Sequence, residues 1–527
     1  MAVTLDGNSL TLEDLCAVVF DHREVMLHRD AYSAIEASRK LIERIAASDE
    51  VVYGVNTGFG KMASVRISRE EICELQTNLV RSHACGVGAP LTEQEVRAMI
   101  LLRANALAKG YSGVRPVVVE TLCALLNRGV HPVIPGQGSV GASGDLAPLA
   151  HLAQVVVGEG EAVHKGKRTS GSEALKLAGV APLALEAKEG LALLNGTQGM
   201  QALLALALRA AEILADTADI ALALTLDALR GSPTAFSSKI ARVRPFDGHA
   251  RTASHVRLLN AGSEIRESHR SPEADPRVQD PYCLRCAPQV HGAVRDALEQ
   301  VRDVLSIEIN SATDNPLVFA ETKEVISGGN FHGQPLAMAA DQLAVALATL
   351  AGISERRTEQ MTNPLGSQLP AFLARNAGLH SGFMILQVAA AALVSETKAL
   401  ATPHSIDSIP TSANQEDYVS MGMGAARRLG PMLENTRNVL AIELLAACQG
   451  LEFLAPLRTG REARKAYDVV RSVSDPVERD RSLSPDIARV AHLIARGAFQ
   501  KIVVALPGQT SLGSDPEKNG NGRARLG

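Results

Sequence analysis

Apolar residues recur at helical spacing along most of the chain. The pattern is clearest over residues 96–108, 191–230, 335–355, 382–401 and 432–455. Apolar positions at i, i+3, i+4 and i+7 line up on one face of a helix, and the Ala and Leu that dominate these stretches favour helix strongly. Several run past the ordinary 8–20 residues and are apolar nearly all round. Helices of that kind are buried on most faces. The pattern therefore predicts a predominantly all-α fold, with a long central helix bundle packed inside a homo-oligomer. Strand-like runs are short, at 51–53 and 130–134. Loop chemistry gathers at 54–60, 132–144, 271–281 and 328–333.

Composition sharpens this picture. Aromatic residues make up only 3% and Trp is absent, so the core is built from Ala, Leu and Val. A prior of roughly 150 residues per domain suggests three or four domains in 527 residues, but no linkers separate them. The expected division is an N-terminal domain over 1–200, a central and C-terminal helical bundle over 201–505, and a disordered tail over 506–527. That tail is rich in Gly, Asn and charge and nearly free of apolar residues. Lys plus Arg total 53 and Asp plus Glu total 57, a net charge of -4 that offers nothing to nucleic acid or an anionic membrane. The N-terminus lacks the basic and apolar regions of a signal peptide, and no run of 18 uninterrupted apolar residues predicts a spanning helix. Seven scattered cysteines fit reduced thiols in the cytoplasm.

Candidate chemistry centres on Gly136-Gln-Gly-Ser-Val-Gly-Ala-Ser-Gly-Asp145. Gly136, Gly138 and Gly141 satisfy G-x-G-x-x-G, but Pro132, Pro135 and Pro148 crowd the flanks and no strand–helix alternation surrounds the match. No nucleotide is expected. The esterase elbow G-x-S-x-G fails because Gly144 directly follows Ser143. One reading is a Gly-rich turn whose Ser143 or Asp145 caps a helix. The other is covalent. Gly144 has no Cβ and takes positive φ readily, so its amide nitrogen can reach the carbonyl of Ala142. Loss of water from the ring, and of a second from the Ser143 side chain, leaves an exocyclic methylidene, a strong electrophile.

Gly138 to His151, GSVGASGDLAPLAH, resembles the signature of the aromatic amino acid lyases. Seven further motifs follow in order: YGVNTGFG (53–60), QTNLVRSHACGVG (76–88), LLNGTQGM (193–200), QDPYCLRCAPQVHG (279–292), EINSATDNPLV (308–318), GGNFHGQP (328–335) and TSANQEDYVSMG (411–422). The resemblance implies that Ala142, Ser143 and Gly144 cyclise to methylidene-imidazolone (MIO). It also implies a fumarase/aspartase-like helical architecture and a homotetramer with active sites shared between subunits. No metal is expected.

Ammonia elimination needs a positioned base, an activated leaving group and a fixed carboxylate. The resemblance makes Tyr53 the base that removes the β-proton; a phenol ordinarily titrates near 10, so its surroundings must perturb it. It makes Tyr282 an assistant at the amine and Arg285 a bidentate carboxylate clamp. Asn195 and Gln279 become hydrogen-bonding partners of substrate or cofactor, and Phe331 a packing residue beside it. Ser82-His83 and Glu416 resemble the positions of family members that act on histidine. An imidazole suits such a polar pocket, whereas a phenyl ring would leave each buried polar group unsatisfied at about 1–3 kcal/mol. The implied reaction is L-histidine to trans-urocanate plus ammonia. The alternatives left open are a phenylalanine or tyrosine ammonia-lyase, an aminomutase of the family, and a helical scaffold without catalysis. Arg81, Tyr418 and Gly333-Gln334 depart from the usual pattern. Cys283 and Cys286 form a C-x-x-C, but no second ligand pair accompanies it.

Overall fold

The computed structural model describes residues 2–48, 50–58, 62, 64–271 and 277–507. The expected disordered tail falls almost wholly outside them. The described chain is predominantly helical, as the pattern predicted, and none of its strands exceeds four residues. Each periodic segment becomes helix: Glu93–Ala108, Gln198–Ala228, Gln334–Thr362, Met384–Leu400 and Leu429–Glu452. Helix Glu93–Ala108 opens on a capping box. The Thr92 hydroxyl accepts from the Glu95 amide at 3.3 Å, and the Glu95 carboxylate accepts from the Thr92 amide at 2.7 Å.

Two local expectations are corrected. Residues 191–230 are not one helix: the chain breaks at Asn195–Thr197, between helices Glu189–Leu194 and Gln198–Ala228. Gly196 leaves helical geometry there because its backbone pairs with Gly144. Residues 51–53 are not a strand either; residues 53–55 form a turn. The Val55 and Asn56 amides both donate to the Val52 carbonyl, and the Asn56 side chain binds the Val52 amide at 2.9 Å and the Glu50 carbonyl at 2.7 Å. Backbone groups satisfied this locally have nothing left for a ladder. The 130–134 run does yield a strand, Val130–Pro132, antiparallel to Glu161–His164.

The chain forms two compact units, each discontinuous. One holds Met1–Leu206, Asp303–Asp341 and Pro403–Arg428; the other holds Ala207–Arg302, Gln342–Thr402 and Leu429–Gly527. The expected break after residue 200 lies near the first boundary, but two later segments return to the first unit. They carry the motifs around Asn315, Phe331 and Glu416.

The second unit buries charge that the apolar pattern concealed. Asp219 accepts from His255 at 2.7 Å, His291 at 2.8 Å and Arg295 at 2.6 Å, all buried. Glu443 accepts two bonds from Arg357, at 2.5 and 2.8 Å, and one each from Thr225 and Ser354. Each oxygen of both carboxylates accepts at least one hydrogen bond, and each carboxylate has a buried Arg beside it, which is the condition for burying them. Helix Gln334–Thr362 is long and apolar enough to cross a bilayer by length and composition alone, but most of its apolar stretch is buried inside the fold. Ile385, Val388 and Ala392 form an exposed stripe on helix Met384–Leu400.

Arg357→Ala leaves Glu443 buried without its cation and should lower stability by about 3–5 kcal/mol. Arg168→Ala, at the exposed Arg168–Glu161 pair, should leave the urea midpoint nearly unchanged. Urea denaturation of both variants checks this; equal midpoints would contradict it.

Candidate active site

The Gly-rich loop of the first unit is held from two sides. Gly144 adopts φ 74° and its backbone bridges Gly196; a Cβ at Gly144 would fall on the Gly196 carbonyl. The Asp145 amide donates to that same carbonyl at 2.7 Å. On the other side, the Met421 amide donates to the Val140 carbonyl at 2.9 Å and the Ser420 hydroxyl to the Gly141 carbonyl at 3.2 Å. Ala142 and Gly144 are buried, and Ser143 between them is half-exposed. The segment is thus a tight turn whose middle residue alone keeps partial exposure.

Asp145 anchors this turn by a route the sequence did not suggest. It occupies the N-cap position of helix Leu146–Val156 but makes no side-chain cap there. Its carboxylate instead accepts from the Met200 amide at 2.7 Å and from the Gly199 amide, at the start of helix Gln198–Ala228, and from the Ser139 hydroxyl at 2.9 Å. It therefore caps a helix more than fifty residues away. Burial pushes its pKa up to about 6, against the pull of those three donors.

Behind Asn195 lies a buried cation. Arg103 donates from one nitrogen to the Asn195 carbonyl at 2.8 Å and to Gln198 Oε1 at 2.7 Å. Burial brings its pKa down to about 10. Gln198 continues to the Thr313 hydroxyl at 2.8 Å, and Thr197 donates to Glu308 at 2.8 Å. The Asn195 side-chain oxygen is buried and has no hydrogen-bond partner among the described residues. Its backbone also ends helix Glu189–Leu194, so Asn195 serves the turn while its side-chain oxygen stays unpaired.

The same unit places His83 within electrostatic reach of Glu416. His83 ends helix Ile72–His83, and its Nδ1 lies 2.9 Å from the Leu79 carbonyl. A carbonyl only accepts, so Nδ1 carries the proton and Nε2 is left for another partner. Burial lowers the His83 pKa; the Leu79 bond and the Glu416 charge oppose that shift. Glu416 lies on a loop in which Ser412, Ala413 and Asn414 all take positive φ. Backbone bonds between Thr411 and Glu416 close the loop, and the Thr411 hydroxyl donates to the Glu416 carboxylate at 2.8 Å. Three left-handed residues in a row are strained, and such strain gathers at functional segments.

Tyr53 is half-buried in the turn organised by Asn56. Gly54 packs so closely on Leu191 and Pro316 that a Cβ would collide with Leu191. Phe331 is half-buried in the loop before helix Gln334–Thr362. Gln279, Tyr282 and Arg285 belong to the second unit. The Arg285 guanidinium stacks on the Tyr282 ring at 4.3 Å and donates to the Asp280 carbonyl at 3.0 Å. Tyr282 is 69% exposed and Gln279 is exposed. Burial pushes the Cys283 thiol up to about 11, which suppresses the thiolate that redox or metal chemistry needs. Among the described residues no cluster of His, Cys, Asp and Glu could hold a metal ion.

With this geometry in place, comparison with known proteins is decisive. The aromatic amino acid lyase profile matches residues 10–472. The chain belongs to that family. A histidine ammonia-lyase from Koribacter versatilis is 56% identical, over 94% of this chain and 98% of the relative. The crystal structure of histidine ammonia-lyase from Trypanosoma cruzi superposes with a TM-score of 0.88 at 45% identity, covering 95% of each chain. Tyrosine aminomutase from Streptomyces globisporus reaches 0.92 at 38% identity, covering 97% of this chain and 100% of its own.

The departures from the family pattern acquire physical reasons. Arg81 is exposed and forms a bidentate pair with Glu159. Gly333 is small because the Met200 thioether occupies the space a Cβ would need, and Gly422 faces the same sulfur. Gln334 donates to the Ser405 carbonyl at 3.1 Å. Tyr418 is 61% exposed, stacks on His332 at 6.2 Å and accepts from it through its backbone carbonyl. Sequence reading missed Arg103, Met200, Ser420 and the distant cap of Asp145. The available signals were an Arg within an apolar helix and an Asp joined to the Ala-Ser-Gly run.

Asp145→Ala strips the first turn of helix Gln198–Ala228 of its acceptor. The expected loss is about 1–3 kcal/mol, with faster hydrogen exchange at the Met200 amide. Unchanged protection at Met200 would contradict the clamp.

Proposed function

We propose that this chain eliminates ammonia from L-histidine to give trans-urocanate, using a methylidene-imidazolone formed from Ala142, Ser143 and Gly144. The observation that carries the substrate is that His83, a half-buried imidazole, and the Glu416 carboxylate lie within electrostatic reach of each other in one unit. The identity to relatives named histidine ammonia-lyase supports the same reading.

The three residues fit the group. Gly144 already holds positive φ where a Cβ would collide with Gly196, Ala142 is small and buried, and the Asn195 amide has an unpaired buried oxygen. When formed, the methylidene-imidazolone supplies an electrophilic carbon that turns the amine into a better leaving group. Tyr53 removes the β-proton. Arg285 binds the α-carboxylate through its guanidinium, and Tyr282 assists at the amine. Asn195 and Gln279 hydrogen-bond the substrate carboxylate or the ring carbonyl, and Phe331 packs beside them. His83, protonated on Nδ1, offers the Nε2 lone pair to the substrate imidazole N–H, and Glu416 holds that imidazole in orientation. A phenyl ring makes neither bond.

The enzyme works as a cytoplasmic homotetramer whose subunits share active sites. The exposed stripe of Ile385, Val388 and Ala392 supports association of chains, because apolar helix faces of that kind are buried in assemblies. An aminomutase is the second reading, favoured by the superposition on tyrosine aminomutase. Chromatography of the products separates the two: a β-amino acid supports the mutase, urocanate the lyase.

Tyr53→Phe should lower kcat for histidine about 10²- to 10⁴-fold while the far-ultraviolet dichroism stays native; full activity would remove Tyr53 as base. Glu416→Gln deletes one influence that raises the His83 pKa. His83 then loses its proton at lower pH, and the acid limb of kcat/KM should move to lower pH. A limb that stays in place or moves up contradicts the pairing.

A further inference from the structure

One side chain joins the two clamps that hold the Gly-rich turn. Met200 lies in the first turn of helix Gln198–Ala228 and is fully buried. Its amide donates to Asp145, the anchor on one side of the turn. Its thioether reaches the other side. There the Ser420 hydroxyl donates to the Gly141 carbonyl and accepts from the Gly422 amide, both at 3.2 Å. A Cβ on Gly333 would fall on the Met200 sulfur and methyl carbon, and a Cβ on Gly422 would meet the same sulfur. The methyl carbon lies 3.4 Å from the place a Gly141 Cβ would take. Glycines from three separate motifs therefore face one thioether, all within the first unit.

Backbone conformation does not account for two of them. Gly333 and Gly422 lack positive φ, so an L side chain would suit either backbone. What excludes it is the space Met200 fills. A flexible thioether in a roomy site would yield to an added methyl. Here it is enclosed by Ser420 and the three glycine backbones, and close-packed surroundings pass a displacement on to their neighbours. The neighbour at stake is the turn itself: Ser143 stands two residues after Gly141.

We propose that Met200 is a positioning residue for the cyclisation of Ala142, Ser143 and Gly144, and that Gly333 is the partner that makes room for it. This rests on the methylidene-imidazolone proposed above. Ring closure joins the Gly144 nitrogen to the Ala142 carbonyl carbon. The carbonyl oxygen leaves as water with the amide protons of Ser143 and Gly144, and a second water takes the Ser143 hydroxyl and α-proton. Met200 contributes no atom to these steps. Its bulk keeps Ser420 on the Gly141 carbonyl while its amide holds Asp145, so the turn stays tight enough for the nitrogen to reach the carbon.

Peptide mass spectrometry of the 142–144 segment, paired with histidine kinetics, tests this in full-length chains carrying Gly333→Ala, Met200→Ala or both. Each single substitution should leave a share of chains two waters too heavy. The kcat should fall by the same factor while KM stays, because the cyclised chains keep a native pocket. With both substitutions, the added methyl at position 333 has only the Ser420 hydroxyl near it, at 3.0 Å, and fills part of the vacated space. The cyclised share should then exceed the product of the two single losses by at least about threefold. Should Gly333→Ala fail to fold, Met200→Ala, which only removes atoms, carries the same prediction in protein with native far-ultraviolet dichroism. Complete cyclisation in the single variants, a raised KM in their place, or a double variant no better than that product overturns the inference alone. An intact Ala-Ser-Gly in active wild-type protein removes the cofactor and this inference together.

Discussion

A single buried carboxylate organises the first unit. Asp145 accepts from the first amides of helix Gln198–Ala228 and from Ser139, and its own amide donates to Gly196. An anion at a helix N-terminus is stabilised by roughly 0.3–2 kcal/mol, most where water is excluded. Burial works against the charge, as the pKa near 6 records. The consequence is geometric. Gly144 precedes Asp145, and Gly196 follows Asn195. One interaction therefore sets both the turn that carries Ser143 and the stretch that holds the buried Asn195 amide, and Arg103 fixes the same Asn195–Gln198 stretch from behind.

The helical character was legible because Ala and Leu at 3.6-residue spacing admit little else. The break at Asn195–Thr197 was not, because it depends on Gly196 pairing with a residue fifty positions upstream. The turn at Tyr53 read as a strand because Val51-Val52 has strand chemistry; the Asn56 side chain overrides it by taking the backbone groups of Val52 and Glu50. Asp219 and Glu443 were hidden within apolar helices, since their cations come from other helices far along the chain. Candidate residues could be located on motifs, and the proximity that lets the Glu416 charge act on His83 is what three-dimensional structure adds. The left-handed run at Ser412–Asn414 has no glycine to announce it.

Fold alone does not choose the reaction. The chain superposes as well on a tyrosine aminomutase as on a histidine ammonia-lyase. In the proposed function discrimination rests on a few polar side chains, because a site built to hydrogen-bond its substrate rejects an analogue lacking those groups far more strongly than an apolar pocket rejects a misfit. Gly333, opposite Met200, shows how departures from the family pattern are absorbed by neighbours.

Peptide mass spectrometry of the segment spanning Ala142, Ser143 and Gly144, taken from fully active enzyme, bears most directly on the self-made electrophile. A segment lighter by two waters is the expected result. An unmodified Ala-Ser-Gly mass in enzyme of undiminished activity would contradict it.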